Sequence, residues 1–481
     1  MRDFLSGRSE APGGASSHVP STVVSRLYWK PKPLTTVLPD QILASNYRTA
    51  LIRCMLTLDM RGRILRLFCS VWFIAAIALA LRVGFLLHQA RGIPPGVLAQ
   101  VPFENEVGNV AAALHEGRGF CCLFRQPTGP TAWLSPVYPM IVAVIFKLAG
   151  TYSLLSFYLV VLFNCVCSAL ACLPLFFAGQ RIGFRATAAG AAWLWALFPT
   201  GIVLPFEWVW DTSLAALLAA ALLWATLALA ESSRLRDYAA YGLLWGFSLL
   251  TNPSLGAALP VFFLWIIYRR LHLGDRRLQP LLLSLAVIGA VCLPWTIRNY
   301  VQFHRFIPLR ANFPYELWSG NNEIFDPHSR APSRITRYEE VHRYATLGEN
   351  AFLAEKWRNA CMFIRTRPGL FARLCGRRIV ATWLGTDSPW ADFWRSDSWF
   401  VRYLFLWNVV VLLSAFLGVA RLFCARSDSL VPLLAFPVLF PLTFYLAHST
   451  LRHRHPADPI LALLMAVALF GARTHSPLKW E

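Results

Sequence analysis

Residues 154–178 read LLSFYLVVLFNCVCSALACLPLFFA and contain no charged side chain, and residues 186–206, ATAAGAAWLWALFPTGIVLPF, contain none either. About 20 apolar residues in a helix cross the ~30 Å hydrocarbon core of a bilayer, so both runs are long enough to span a membrane. Of the 481 residues, 56% are hydrophobic and 15% are charged, whereas soluble domains carry about 25% charged residues. The sequence predicts an all-α, polytopic membrane protein and excludes a soluble globular enzyme and a disordered chain.

The distribution of arginine along the chain predicts the membrane topology. Every second short loop between apolar runs contains arginine, whereas the turns at 207–211 and 250–254 contain no Lys or Arg. Since cytoplasmic loops are enriched in these residues, both ends of the membrane unit are predicted to be cytoplasmic. The ten predicted spans are 65–88, 154–178, 186–206, 211–230, 238–251, 253–269, 280–297, 401–423, 430–448 and 457–472. The net charge is +20, and basic residues in short loops beside apolar runs are interpreted as topology determinants, so no nucleic-acid partner is expected.

The apolar stretch 136–149, PVYPMIVAVIFKLA, is predicted not to span the membrane. It is short and contains two prolines near its start, and apolar runs of 10–14 residues more often lie in the interface or re-enter it. If it spanned, every later basic loop would face outward. We therefore predict a re-entrant or juxtamembrane helix on the outer face.

These spans divide the chain into segments. Residues 1–62 are rich in Ser, Pro and Gly and are expected to be disordered or to result from a mis-assigned start. The remaining segments are a membrane domain at 63–297 with its first outer loop at 89–153, an outer-face helical segment at 298–400, C-terminal membrane helices at 401–472 and a cytoplasmic tail at 473–481. No internal repeat is visible, which disfavours an inverted-repeat transporter.

Two carboxylates, Glu104 and Glu106, follow the first span in the first outer loop. Alone they could form a solvated acidic turn, or one could serve as a general base at the membrane surface. The proline-rich block that follows, PTGPTAWLSPVYP at 127–139, favours the second interpretation, because rigid, elaborate loops often carry function.

Four arginines lie where the positive-inside rule does not place them. Arg452 and Arg454 occupy a short outer loop, Arg298 follows the seventh span on the same face, and Arg82 lies inside the first span. An ionisable residue at membrane depth is a functional hypothesis, with snorkelling to lipid headgroups as the alternative. For Arg452 and Arg454 we favour phosphate binding.

The cysteines predict no metal site. Most of the 11 lie within apolar runs, and no Cys/His spacing typical of zinc sites occurs. Cys121 and Cys122 are adjacent, which suits neither a disulfide framework nor a zinc site.

The order of these features resembles the GT-C glycosyltransferases. The first helix, the acidic outer loop, a small-residue helix and GPTAWLSPVYPMIVAVIFKLAG at 129–150 are similar to bacterial membrane proteins of the protein O-mannosyltransferase and aminoarabinose transferase group, glycosyltransferase family 39-like. Further matches are PWTIRNYVQF at 294–303, GNN at 320–322 and RHRHPADP at 452–459. The resemblance covers roughly residues 65–470.

The resemblance implies transfer of a sugar from a polyprenyl-phosphate donor to a glycan, lipid or protein acceptor outside the cytoplasm, in the plasma (inner) membrane, with inversion. It implies Glu106 or Glu104 as general base, while the Asp of the usual Asp-Glu pair is replaced by Phe103. The four arginines would bind the donor, which is a co-substrate, and no cofactor is expected. Alternatives are a transporter or flippase, and a catalytically inactive relative.

Three further polar residues become candidates through the resemblance. Glu207 and Asp211, in EWVWD, match a position where some family members have a second acid that contacts the sugar or the acceptor. Asp211 is also placed to be the N-cap of the fourth span, and we slightly favour the cap. Asn321 belongs to a turn by composition, with sugar contact as the functional alternative.

Overall fold

The computed structural model describes residues 68–182, 185–207, 209–322, 338–386 and 399–471. Helices are the only regular elements among these residues, and the only β pairing is an isolated bridge between Cys121 and Pro130. In chain order the α-helices are α1 Val71–Ala90, α2 Pro95–Gln100, α3 Glu106–His115, α4 Val137–Ala149, α5 Leu154–Leu170, α6 Cys172–Arg181, α7 Arg185–Ala196, α8 Pro199–Glu207, α9 Thr212–Leu229, α10 Leu235–Thr251, α11 Leu259–His272, α12 Gln279–Phe303, α13 Phe313–Gly320, α14 Tyr338–Thr366, α15 Pro368–Leu384, α16 Trp399–Cys424, α17 Leu430–Leu439, α18 Leu442–Leu446, α19 Leu451–Arg454 and α20 Asp458–Phe470.

Within the described residues, seven helical stretches are long and apolar enough to cross a membrane, which confirms the α-helical, polytopic fold class. They are Val71–Ala90, Leu154–Arg181, Ala186–Glu207, Thr212–Leu229, Pro253–His272, Gln279–Phe303 and Val401–Cys424. The other three predicted spans correspond to shorter helices, α10, α17 with α18, and α20. The chain is therefore an integral membrane protein. The predicted segments 1–62 and 473–481 lie outside the described residues.

Proline interrupts the helical stretch near the C-terminal end of the membrane bundle. Pro441 immediately precedes α18, and a proline within a helix removes a backbone donor and clashes with the preceding turn. The predicted span 430–448 is accordingly split into α17 and α18. Two side chains of this broken region, Phe440 and Phe444, line a cavity.

The stretch predicted not to span, 136–149, forms the short helix α4. Tyr138, Val142 and Phe146 are buried, whereas Val144 and Leu148 are exposed on another face. Because residues four apart share a helix face, one apolar face of α4 packs against the rest of the protein and another apolar face is exposed on its surface. Its Phe146 ring lies 5.0 Å from that of Phe103, next to α3.

Close approach of the C-terminal helices depends on glycine. A Cβ added at Gly418 would lie 2.1 Å from the carbonyl oxygen of Leu464. Only glycine therefore allows α16 to approach α20 this closely, as is usual between membrane helices.

The predicted outer-face segment is helical where it is described. It contains α13, α14 and α15, while α12 extends past the predicted end of its span to Phe303. Gly348 divides α14 with φ 73°, a conformation that favours glycine.

Candidate active site

A cavity of about 320 Å³ is enclosed by connections that are far apart in the sequence. Its polar and charged lining residues are Asp211, Thr212, Asn252, Ser254, Arg310, Asn312, Glu316, Thr443, His448, Arg452 and His453. They lie in or next to the connections that follow the third, fifth, seventh and ninth predicted spans. The distribution of arginine predicts that all of these connections lie on the same side of the membrane.

Asp211 is a buried carboxylate in the cavity wall. It lies at the predicted N-cap position of α9, but its side chain makes no capping hydrogen bond. Instead, its Oδ2 accepts a hydrogen bond from Asn252 Nδ2 at 3.0 Å. Burial raises the pKa of Asp211 to about 6, while the positive charges of Arg310 and Arg452 act in the opposite direction. The tertiary contact with Asn252 leaves the carboxylate directed toward the cavity.

Arg452 contributes a guanidinium to the same cavity. It lies over the Trp210 ring, 5.3 Å from the centroid. Burial lowers the pKa of Arg452, and the carboxylates of Asp211, Glu316 and Glu106 oppose that shift. The partly buried cation is therefore surrounded by acids of the site, and it can grip an anion with two parallel hydrogen bonds.

Glu316 and Arg310 form a second charged group on the wall, and sequence reasoning missed both. Asn312 Nδ2 donates to Glu316 Oε1 at 2.6 Å and Arg310 Nε donates to Asn312 Oδ1 at 2.6 Å. Arg310 Nη2 lies 4.0 Å from Glu316 Oε1, and His448 Nδ1 lies 3.4 Å from Glu316 Oε2. Nothing in RANFPYEL (residues 310–317) marks these residues as functional, since only the fold brings α13 to the cavity.

The structure separates the two first-loop carboxylates. Glu104 is exposed and forms an ion pair with Arg125 at 3.0 Å. Glu106 is half-buried at the first position of α3, where the Asn105 side chain accepts a hydrogen bond from Gly108 N at 3.0 Å.

The electrostatic neighbours of Glu106 are residues of the cavity wall. Burial raises the pKa of Glu106, Glu316 adds to the shift, and Arg452 and Arg310 oppose it. The next residue, Val107, lines a small recess together with Asp211 and Arg310. Of the two first-loop acids, Glu106 is the one that shares the electrostatic environment of the cavity.

Arg454, two residues from Arg452, has a different environment. It is fully buried, and its guanidinium donates to Asp458 Oδ1 at 2.7 Å, the Trp383 carbonyl at 2.9 Å and Asn408 Oδ1 at 2.9 Å. It is not among the described residues that line the cavity. We therefore assign Arg454 the role of positioning the Arg452 loop.

The other two arginine candidates also make internal contacts. Arg298 donates to the carbonyls of Thr131 at 2.7 Å and Phe120 at 2.6 Å, and so holds the first outer loop against α12. Arg82 is fully buried and donates to Ser168 Oγ at 2.8 Å and the Ala196 carbonyl at 3.1 Å. Neither is a described lining residue of the cavity.

Glu207 and Asn321 likewise lie away from the cavity wall. Glu207 is exposed at the end of α8. Asn321 is fully buried, with its Nδ2 donating to the carbonyls of Leu317 at 2.7 Å and Leu446 at 2.8 Å. Asn321 therefore fastens α13 to the end of α18.

A buried carboxylate from α14 fixes the proline-rich loop. Glu349 accepts hydrogen bonds from Thr131 Oγ1, from Ala132 N at 2.8 Å and from Tyr344 OH at 2.6 Å. The Ala132 carbonyl in turn accepts from Ala311 N at 2.8 Å. This chain of contacts connects α14 through the loop to the residue after Arg310.

No group of three or more His, Cys, Asp and Glu side chains placed to hold a metal ion occurs among the described residues. The ionic groups that the described cavity wall offers to a ligand are the carboxylates of Asp211 and Glu316 and the guanidiniums of Arg310 and Arg452.

Comparison with known proteins gives similarities at the level of solved structures. No model of a known protein family matches the chain, and no curated protein matches it. The oligosaccharyltransferase of Archaeoglobus fulgidus, in a complex with Zn and sulfate, is 13% identical with a TM-score of 0.49, covering 82% of this chain and 48% of that one. ArnT from Cupriavidus metallidurans, bound to undecaprenyl phosphate, is 15% identical with a TM-score of 0.34, covering 82% and 77%.

Both proteins are GT-C glycosyltransferases. A further structure of the archaeal enzyme AglB, with an inhibitory peptide and a dolichol-phosphate, is 13% identical with a TM-score of 0.47, covering 83% of this chain and 50% of that one. The chain thus spans about half the length of these archaeal proteins.

Proposed function

We propose that this protein transfers a sugar from a polyprenyl-phosphate donor to an acceptor on the non-cytoplasmic side of the membrane, with inversion at the anomeric carbon. The observation that carries the proposal is the cavity at the ends of apolar helices, which joins Asp211 and Glu316 with Arg310 and Arg452. Glu106 lies within the electrostatic reach of the same groups.

Arg452 is the proposed ligand of the donor phosphate, with Arg310 as a second cation. As the bond between the sugar and the lipid phosphate breaks, negative charge grows on the phosphate, and fixed cations stabilise that charge most in a site with little water. The Trp210 ring restricts the Arg452 guanidinium, so less freedom is lost when the phosphate binds.

The broken helices α17 and α18 supply an apolar wall beside these cations. Phe440, Thr443 and Phe444 line the cavity, whereas Val438, Leu442 and Leu446 are exposed. A polyprenyl chain could therefore stay in the bilayer along the exposed face while its phosphate reaches Arg452. The sugar would then lie toward Asp211 and Glu316.

Glu106 is the proposed general base. An acceptor hydroxyl transfers its proton to the Glu106 carboxylate while its oxygen attacks the anomeric carbon. The bond from that carbon to the phosphate oxygen breaks, and the lipid phosphate leaves. A carboxylate whose pKa is raised is a stronger base than a solvated one, and burial raises the pKa of Glu106. One displacement gives inversion.

Asp211 is the proposed hydrogen-bond acceptor for a hydroxyl of the sugar or of the acceptor. The Asn252 amide donates to its Oδ2, which leaves Oδ1 for the substrate. With its pKa raised to about 6 by burial, Asp211 is mostly ionised at neutral pH and protonated below about pH 6.

The outer location of the cavity is a proposal that labelling can test. In a variant without native cysteines, a cysteine at Pro127 should react with a membrane-impermeant maleimide added outside the cell. A second cysteine at Ser329, outside the described residues, should give the same result. Reaction of either position only from the cytoplasmic side would contradict the proposed outer location of these loops.

Lipid-linked sugars in a deletion strain test the proposed activity. We expect a polyprenyl-phosphate sugar to accumulate in the outer leaflet, detected by mass spectrometry and by access to a reagent added outside. Wild-type protein should reverse the accumulation and Arg452→Ala should not. Accumulation only in the inner leaflet would indicate a flippase, and an unchanged lipid profile would contradict the proposed donor.

A further inference from the structure

The two adjacent cysteines of the first outer loop lie in a hairpin that the proposed mechanism does not use. Cys122 N donates to the Gly129 carbonyl at 3.1 Å, and Thr131 N donates to the Phe120 carbonyl at 3.2 Å. These backbone hydrogen bonds join the two arms on either side of Cys121 and hold both cysteines in place.

The hairpin brings the two sulfur atoms together. Successive side chains of an extended strand point to opposite faces, but the Sγ atoms of Cys121 and Cys122 are 2.7 Å apart. Cys122 has φ 63°, in the left-handed region that non-glycine residues seldom adopt. A disulfide is about 2.05 Å long, so the sulfur atoms need to approach by less than ~1 Å to form one.

The surroundings give the two thiols different chemistry. Arg118 Nη1 donates to Cys122 Sγ at 3.1 Å, and arginine next to a thiol is typical of reactive cysteines. Cys122 also lines an open cavity of about 340 Å³ together with Asn109 and Tyr152. Cys121 does not line that cavity, and burial raises the pKa of its thiol to about 11. Cys122 is thus the sulfur that a reagent in the cavity can reach.

We propose that Cys121 and Cys122 are a modification site, a vicinal dithiol that is oxidised to a disulfide within the chain by exchange with a disulfide-bearing oxidant. Cys122 gives up its proton to water, and its Sγ attacks one sulfur of the oxidant, whose disulfide breaks and releases one thiolate. Cys121 then loses its proton to that thiolate and attacks Cys122 Sγ, which releases the second thiolate, and this thiolate takes up a proton from water. Two protein thiols are oxidised and one disulfide is reduced to two thiols.

The site is connected to α3 but is separate from the cavity of the proposed transferase. Asn109 Nδ2 donates to the Leu123 carbonyl at 3.1 Å, and this bond joins the hairpin to the helix that begins at Glu106. Disulfide formation would therefore stiffen the loop beside α3. The proposal concerns the thiols alone and does not depend on sugar transfer.

Mass spectrometry of the full-length protein in detergent tests the proposal. The protein is treated with oxidised glutathione, free thiols are blocked with N-ethylmaleimide, and the chain is digested with trypsin without reduction. Cleavage after Arg118 and Arg125 gives peptide 119–125, whose two cysteines are Cys121 and Cys122. We expect this peptide to be two hydrogen atoms lighter than the dithiol and to gain two labels only after reduction.

The exposed Cys424 is the matched control within the same sample, and it should carry either glutathione or a maleimide. Cys122→Ser should abolish the loss of two hydrogens while Cys121 stays unpaired. The proposal would be overturned if wild-type peptide 119–125 carried two maleimides, or glutathione on both sulfurs, in a sample in which Cys424 has reacted. Disulfide-linked dimers through this peptide on a non-reducing gel would overturn it as well.

Discussion

Replacing Arg452 and Arg454 by alanine, one at a time, should give opposite phenotypes although the residues are two positions apart. Arg454 is fully buried and forms an ion pair with the fully buried Asp458. Arg454→Ala removes the arginine partner of that carboxylate, and breaking a buried ion pair costs about 3–5 kcal/mol of folding free energy. Thr200 Oγ1 still donates to Asp458 Oδ2 at 2.7 Å and His455 Nδ1 lies 3.2 Å from the same oxygen, but Oδ1 loses the hydrogen bond from Arg454.

Arg452→Ala should leave stability nearly unchanged and weaken donor binding. Its guanidinium faces the cavity and stacks on Trp210, and Arg310 remains as a second cation beside Asp211 and Glu316, so truncation costs less stability than Arg454→Ala does. A hydrogen bond to a charged group contributes about 1.5–3 kcal/mol, and 1.4 kcal/mol is tenfold in affinity. The Kd for polyprenyl phosphate should therefore rise roughly 10- to 150-fold in Arg452→Ala. The Kd of Arg452→Lys should lie between those of wild type and Arg452→Ala, since lysine keeps the charge but lacks the two parallel N–H donors of the guanidinium.

Both quantities can be measured on protein in nanodiscs, with Tm from thermal unfolding and Kd from binding of labelled polyprenyl phosphate. We expect a lowered Tm for Arg454→Ala alone, and a raised Kd with nearly wild-type Tm for Arg452→Ala. An Arg452→Ala protein that binds the lipid phosphate as tightly as wild type would refute the assignment.

Two further predictions concern carboxylates. Asp211→Asn should abolish transfer yet stabilise the protein at pH 7 by up to about 3 kcal/mol, because burial raises the pKa of Asp211 from 3.8 to about 6 and asparagine avoids the cost of holding a charged carboxylate there. This gain should vanish as the pH falls below about 4, which denaturation at several pH values would check, and equal stability at pH 7 would contradict it. Glu349→Ala should lower the free energy of unfolding by at least about 2 kcal/mol, since the donors Thr131, Ala132 and Tyr344 lose their acceptor. An unchanged Tm would show that other contacts hold the proline-rich loop in place.

The sequence was enough to predict the class of fold and most of the helices. Apolar length located the spans, and the proline-containing stretch 136–149 is a short helix, α4. Helix lengths were less predictable. Pro441 splits the predicted span 430–448, and this proline can be read from the sequence. No comparable residue in the sequence indicates that α20 is short.

The candidate site could be predicted only where a residue was unusual for its place. Arg452 stood out because it opposes the positive-inside rule, but its neighbour Arg454 stood out equally, and only the folded loop directs one to the cavity and the other to Asp458. Glu316 and Arg310 belong to no motif and reach the cavity through tertiary packing. The Asp211 side chain makes no capping hydrogen bond, because the distant Asn252 holds it instead.

The most direct test of the central claim is the rate at which Glu106→Gln and Glu104→Gln release polyprenyl phosphate from a sugar-charged donor, with the acceptor present. Glutamine keeps the size of glutamate but cannot accept the proton, so Glu106→Gln should slow release roughly 100- to 10,000-fold with the Kd for donor unchanged. Glu104 is exposed and paired with Arg125, so Glu104→Gln should keep the wild-type rate. Wild-type release by Glu106→Gln would contradict the proposal that this carboxylate is the base.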